Sequence, residues 1–173
     1  IDSLNSALFN THEPSDKIEI YLQLAKLYKN INADTAIEMA GQALLLAEKI
    51  DDDLNIGLIH AELGNIAMVR DEVESAELHY KQAIEYLKPI QDANQIIRVY
   101  LLLGNRFLEK NNYPEAMDSY MQGIKISEQM KDTSILANLY NNLGIVYLNL
   151  DKYEQALSLY SKALKQFEIS KDS

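Results

Sequence analysis

Apolar and small residues return along this chain at alternating three- and four-residue steps, in segments that come in pairs. Over residues 134–150 they are Leu136, Leu139, Tyr140, Leu143, Gly144, Tyr147 and Leu150, a stripe down one face of a helix. Residues 153–168 carry the same stripe in Tyr153, Ala156, Leu157, Tyr160, Ala163, Leu164 and Phe167. Between the two, Asn149-Leu150-Asp151-Lys152 is short and polar enough only for a tight turn, which predicts a helix hairpin. The corresponding turn upstream is Lys110-Asn111-Asn112-Tyr113-Pro114. Its proline suits the first turn of a following helix, where the missing N–H has no intrahelical partner to lose. Ile1 to Phe9 is also helically spaced, and Pro14-Ser15-Asp16 reads as lying ahead of the next helix. No stretch alternates with the two-residue period of a strand.

The hairpins are copies of one another. Leu63-Gly64, Leu103-Gly104 and Leu143-Gly144 stand 40 residues apart. Twelve residues beyond each glycine come Ala76, Ala116 and Ala156, then Tyr80, Tyr120 and Tyr160, then Ala83, Gly123 and Ala163. An earlier copy, one residue short, has Leu24-Ala25 for the Leu-Gly pair, Tyr28 after it, and Ala36, Ala40 and Ala43 for the small residues. A fixed period of this size predicts a stacked array. The divisions it suggests are 1–17 (the tail of a preceding repeat and a linker), 18–56, 57–96, 97–136 and 137–173. Lys171-Asp172-Ser173 echoes Lys131-Asp132-Thr133, so the array is expected to continue in a longer protein. Glycine inside a helix costs about 1 kcal/mol against alanine. Three such glycines in phase predict a close approach of the partner helix, with the tyrosines filling the gaps between helices. Asp52, Asp92, Asp132 and Asp172 keep the same period. The first three stand ahead of opening helices as N-caps.

Tyr140-x-x-Leu143-Gly144-x-x-Tyr147 followed by Ala156-x-x-x-Tyr160-x-x-Ala163 resembles the tetratricopeptide repeat signature, and the resemblance extends over about residues 18–170. The repeat at 97–136 matches with Tyr100, Leu103, Gly104, Phe107, Ala116, Tyr120 and Gly123, whereas the repeat at 57–96 departs with His60 and Ala67. The family repeat is about 34 residues; the longer period here adds to the second helix and the link. Such long forms resemble bacterial peptide-sensing regulators, Pins-type scaffolds, and sensor segments of histidine kinases and transcription regulators. The resemblance implies an all-α, right-handed superhelical solenoid of antiparallel helix pairs. First helices would line its concave face, and a peptide or protein segment would lie there.

In the family, first-helix positions two before, one after, and four or five after the glycine face that groove. They fall here on Gln23, Lys26, Lys29 and Asn30; on Glu62, Asn65, Met68 and Val69; on Leu102, Asn105, Leu108 and Glu109; and on Asn142, Ile145, Leu148 and Asn149. Amides can hold an extended backbone irrespective of its sequence, and the apolar neighbours would take side chains. The resemblance includes chaperone-tail binders that hold a terminal carboxylate. Asn105 and Asn142 match two of their positions, but Leu101 stands at the paired lysine and the final basic pair is absent. In the other frame Asn65 matches while Leu102, Asn138 and Asn142 do not. A carboxylate clamp is therefore not expected.

Composition narrows the partner. With 173 residues and a formal net charge of −10, the chain lacks the basic face that nucleic acid or an anionic membrane requires. No apolar run reaches membrane-spanning length, so this segment is not expected to insert directly. There is no cysteine, hence no disulfide and no thiolate metal site; cytosol and periplasm both suit such a chain. His12, His60 and His79 lie far apart without metal spacing, and Asp51-Asp52-Asp53 lacks the glycine and distal glutamate of a calcium loop. Neither a phosphate loop nor a Ser/His/Asp set is present, so catalysis, metal and cofactor are not expected. Two alternatives to a groove-binding scaffold stay open. One is the sensor segment of a bacterial signalling protein. The other is a structural spacer that associates with itself through uncapped terminal helices bearing Leu157, Leu164 and Phe167.

Overall fold

The computed structural model describes residues 1–90, 92–130 and 135–171. Among them lie nine helices and no strand: α1 Asp2–Asn10, α2 Pro14–Tyr28, α3 Ala33–Lys49, α4 Asp53–Val69, α5 Val73–Ile90, α6 Ala93–Glu109, α7 Tyr113–Met130, α8 Leu136–Asn149 and α9 Tyr153–Lys171. The chain divides into two compact units, Ile1–Gln91 and Asp92–Ser173. Unit 1 holds the hairpins α2/α3 and α4/α5, with α1 against α2 and α3 against α4. Unit 2 holds α6/α7 and α8/α9, with α7 against α8. First helices also meet, α2 with α4 and α6 with α8. The fold is an all-α tetratricopeptide-like solenoid of helix hairpins.

Local chemistry sets the ends of the helices. Asp52 and Asp92 accept from the backbone N–H of Asn55 and Gln95, each at 3.1 Å, as N-caps. Asp132 and Asp172 lie outside the described residues. Pro14 is in the first turn of α2, with Glu13 at the N-cap position, rather than ahead of the helix. Its missing N–H is one of the donors that a helix start leaves unpaired. The hairpin turns of the last three repeats share one device. Asp71, Asn111 and Asp151 adopt φ of 59°, 57° and 58°. The next residue's N–H then reaches back to Ala67, Phe107 and Tyr147 at 2.9, 2.8 and 2.9 Å, which closes the preceding helix with the six-residue loop of a Schellman motif. The first hairpin, where the repeat is a residue short, lacks this turn; Asn32 caps α3 instead, accepting from Thr35 N at 3.1 Å.

In unit 1 the core is one cluster of Ile18, Leu22, Ala25, Ile56, Ile59 and Ile66 with the alanine stripe of α3. Ala36, Ala40, Ala43 and Ala47 are all completely buried. Side chains this small bring α3 close to its neighbours, while Ile and Leu from α2 and α4 supply about 1.5–3 kcal/mol each on burial. In unit 2, Leu103, Phe107, Tyr120, Leu139 and Val146 are buried, as are the small residues Ala116, Ala156 and Ala163.

Candidate first-helix binding faces

Each in-phase glycine is the seat of a tyrosine ring from the partner helix. A Cβ on Gly64 would lie 2.6 Å from Tyr80 Cε1; on Gly104, 2.5 Å from Tyr120 Cε1; on Gly144, 2.6 Å from Tyr160 Cε1. The glycine therefore admits the ring itself, more than a close backbone. In the first repeat both partners change together, since Ala25 replaces the glycine and Ala40 the tyrosine, and both are fully buried in the core cluster.

Seating the ring aims its hydroxyl at the residue after the glycine. Tyr80 Oη donates to Asn65 Oδ1 at 2.9 Å, and Tyr120 Oη to Asn105 Oδ1 at 2.8 Å. The fourth repeat has Ile145 at that position. In unit 1 the polar chain runs on: Asn65 Nδ2 donates to Glu62 Oε2 at 3.0 Å, and Lys29 Nζ meets Glu62 Oε1 at 2.9 Å. Lys29, Glu62 and Asn65 thus join α2 to α4. Glu62 is buried, so its carboxylate is taken up within the protein rather than open to a ligand. In unit 2, Asn142 Nδ2 donates to Asn105 Oδ1 at 2.7 Å and joins α8 to α6. The Asn105 oxygen therefore takes two bonds, which leaves its N–H donors for another acceptor. Burial pushes the Tyr120 hydroxyl well above the usual phenol range; a hydrogen bond with Asn142 opposes that and the charge of Glu109 adds to it.

Of the other positions singled out by the repeat, Gln23, Lys26, Asn30, Val69, Glu109, Leu148 and Asn149 are exposed. Met68, Leu102, Leu108 and Ile145 are half-buried. Gln23 and Lys26 also line a recess of about 420 Å³ in unit 1, with Asp16, Glu19, Asn55 and Leu58. A second recess of about 410 Å³, between α8 and α9 around Leu143, Tyr147 and Leu159, collects none of these positions.

Two features lie beyond what the repeat pattern reveals. His60 and His79, unrelated by sequence spacing, meet across α4 and α5 with Nδ1 atoms 3.1 Å apart. Arg106 is buried where the equivalent residues are Ile66 and Val146; its Nη1 reaches Glu109 at 2.6 Å while Nε has no partner. The signal was His60 where the later repeats have Tyr100 and Tyr140, and Arg106 between Ile66 and Val146; His79 shares its position with Ser119 and Leu159 and gave none. Among the described residues no group of three or more His, Cys, Asp or Glu could hold a metal. No described helix is long and apolar enough to cross a membrane.

Helix hairpins stacked with a recurrent small-residue seat define an α-solenoid of the protein-interaction scaffold class. Residues 97–130 and 137–168 each match the tetratricopeptide repeat family, and the chain is a tetratricopeptide repeat protein. No curated protein sequence matches it. Among solved structures it is similar to BtubC from P. vanneervenii, at 21% identity and TM-score 0.85, covering 98% of this chain and 72% of that one. It is also similar to aspartyl phosphate phosphatase F from Bacillus subtilis, at 16% identity and TM-score 0.90, covering 96% and 44%. A third is a Rap protein complexed with competence and sporulation factor, at 20% identity and TM-score 0.81, covering 94% and 45%. The chain spans under half the length of these last two. At these identities the likeness is one of fold.

Proposed function

We propose that this chain is a protein-binding scaffold without catalytic activity, and that extended peptide segments lie along the first-helix faces of its units. The observation that carries the reading is Asn105. Its oxygen is held by Tyr120 and Asn142, so its N–H donors suit a backbone carbonyl, beside half-buried Leu102, Leu108 and Ile145 that suit apolar side chains. The face of unit 1 is more polar, with Gln23, Lys26 and Asn65 around the Lys29–Glu62 pair. A fold relative solved in complex with competence and sporulation factor supports the sensor-segment form of this reading, in which the bound chain is a signal.

The test is capture of partners from source-cell lysate by the native chain and by Leu108→Ser/Ile145→Ser, with a Leu45→Ser/Leu78→Ser variant on the second helices as control. Leu45 and Leu78 are exposed. The expected result is a partner lost only with the first-helix variant. A partner retained by that variant and lost with the control would place binding on the second helices and end the proposal.

A second reading rests on α9, where Leu157 and Leu164 are 69% and 60% exposed. In α7 the counterpart of Leu164, Ile124, is buried and that of Leu157, Met117, is half-buried. Self-association through this face predicts a concentration-dependent dimer in sedimentation that Leu157→Ser/Leu164→Ser abolishes. A chain that is monomeric at all concentrations would dispose of it.

A further inference from the structure

The second repeat departs from the others at two facing positions. His60 stands where Tyr100 and Tyr140 stand in the next repeats, and His79 where Ser119 and Leu159 stand. The two rings meet Nδ1 to Nδ1 at 3.1 Å with centroids 5.3 Å apart. That separation is close to the nitrogen–nitrogen distance plus a ring radius at each end, so each nitrogen points at the other. A chelated metal would need both lone pairs to converge on a third point off that line. A shared proton needs them to face each other, as they do. His60 is buried and His79 half-buried.

The groups that act on the pair come from α5: His79 and the Tyr86 ring on His60, with centroids 5.9 Å apart, and Gln82 on His79. From α2, α3 and the rest of α4, no described carboxylate, lysine or arginine acts on either ring. With both rings neutral, one proton lies on the line between them. The donor ring carries Nδ1–H and a bare Nε2, while the acceptor ring carries Nε2–H. A first added proton goes to the bare Nε2 and creates a cation in a buried place. A second sets N–H against N–H, so the bond is lost and two like charges face each other.

We propose that the His60–His79 pair is an acid-sensitive latch on the α4–α5 hairpin, which loosens unit 1 below neutral pH while unit 2, which contains no histidine, stays closed. Burial, with the charge of His79 second, lowers His60 from 6.5 to about 4. Burial lowers His79 as well, opposed by its bond with Gln82. Below about pH 6.5 the unfolded chain takes up protons that the native pair refuses, so stability falls as pH drops from about 7 towards 4. From His60 alone, a shift from 6.5 to about 4 raises the opening constant of unit 1 roughly 30-fold between about pH 7.5 and about pH 5.

The test uses the whole chain. In an NMR titration of the native protein, the His60 and His79 ring protons are expected to titrate well below free histidine. In hydrogen exchange corrected for intrinsic pH dependence, α4 and α5 are expected to lose about 30-fold more protection than α8 and α9 on going to about pH 5. The His60→Tyr/His79→Ser variant, which borrows the residues of the third repeat, is expected to erase that difference. Rings that titrate like free histidine, equal losses in the two units, or an unchanged loss in the variant would each overturn the latch. The NMR titration needs no variant, so it can refute the latch even if the variant fails to fold.

Discussion

Gly104→Ala places a methyl group where the Tyr120 ring now sits. The new Cβ would lie 2.5, 2.7 and 3.0 Å from Cε1, Cδ1 and Cζ of that ring. Tyr120 is fully buried and its hydroxyl is held by Asn105 at 2.8 Å, so the ring cannot move away without giving up that bond. Overpacking of this kind costs about 1–3 kcal/mol, and the hydrogen bond is worth about 1 kcal/mol more. Alanine's helix propensity returns about 1 kcal/mol. The net expectation is a loss of about 1–3 kcal/mol, read from urea unfolding followed by helical circular dichroism. Gly41, with nothing within 4 Å of its added Cβ, is the control; Gly41→Ala is expected to gain about 0.5–1 kcal/mol. The cycle is completed with Tyr120→Ala, which alone costs about 3–5 kcal/mol for the cavity. In that background Gly104→Ala meets no ring and turns stabilising, as the buried Ala25 and Ala40 of the first repeat suggest, so the pair couples favourably by about 2–4 kcal/mol. Additive effects, or a Gly104→Ala variant as stable as Gly41→Ala, would refute the glycine seat.

Three further outcomes follow from particular contacts. Asp71 holds a left-handed φ of 59° at a helix C-terminus, so Asp71→Gly is expected to raise the unfolding midpoint, equivalent to about 1 kcal/mol. Arg106→Ile, which restores the Ile66 and Val146 pattern and removes an unpaired buried Nε, is expected to stabilise the chain by about 1–3 kcal/mol; a loss of stability would show that the arginine is held by more than Glu109. The Tyr140 hydroxyl, on a buried side chain and donating to Glu128 at 2.5 Å, is pushed up to about 12 by burial first and then by that carboxylate. The native state therefore keeps a proton that the unfolded chain releases near pH 10, and stability falls as pH rises through about 10 to 12. Tyr140→Phe should flatten that alkaline slope in unfolding titrations.

The hairpins were legible because helix burial repeats itself in the spacing of apolar residues, and because Asp52 and Asp92 mark helix starts by a rule of local chemistry. The glycine–tyrosine relation was legible as a spacing but not as a contact. Sequence shows that two positions keep step, whereas the seat depends on how two helices approach. Glu62 illustrates the other limit. Its repeat position points to an open face, yet Lys29 from the neighbouring hairpin and Asn65 from its own turn enclose the carboxylate. Partners drawn from a different hairpin leave no mark in the spacing of one helix. The meeting of His60 with His79 was hidden for a different reason: both lie in one hairpin, but which residues of α4 and α5 face each other depends on how the two helices pack, although His60 was visible as a departure from the repeat.

A partner that lies along the first helices has to touch Leu108 and Ile145. The most direct measurement is photo-crosslinking in source-cell lysate, with a photoreactive residue placed in turn at Leu108 and Ile145 on first helices and at Leu45 and Leu78 on second helices, followed by mass spectrometry of the adducts. Binding along the first helices predicts one partner crosslinked from Leu108 and Ile145 and absent from Leu45 and Leu78. Adducts that form only from the second-helix positions would contradict it.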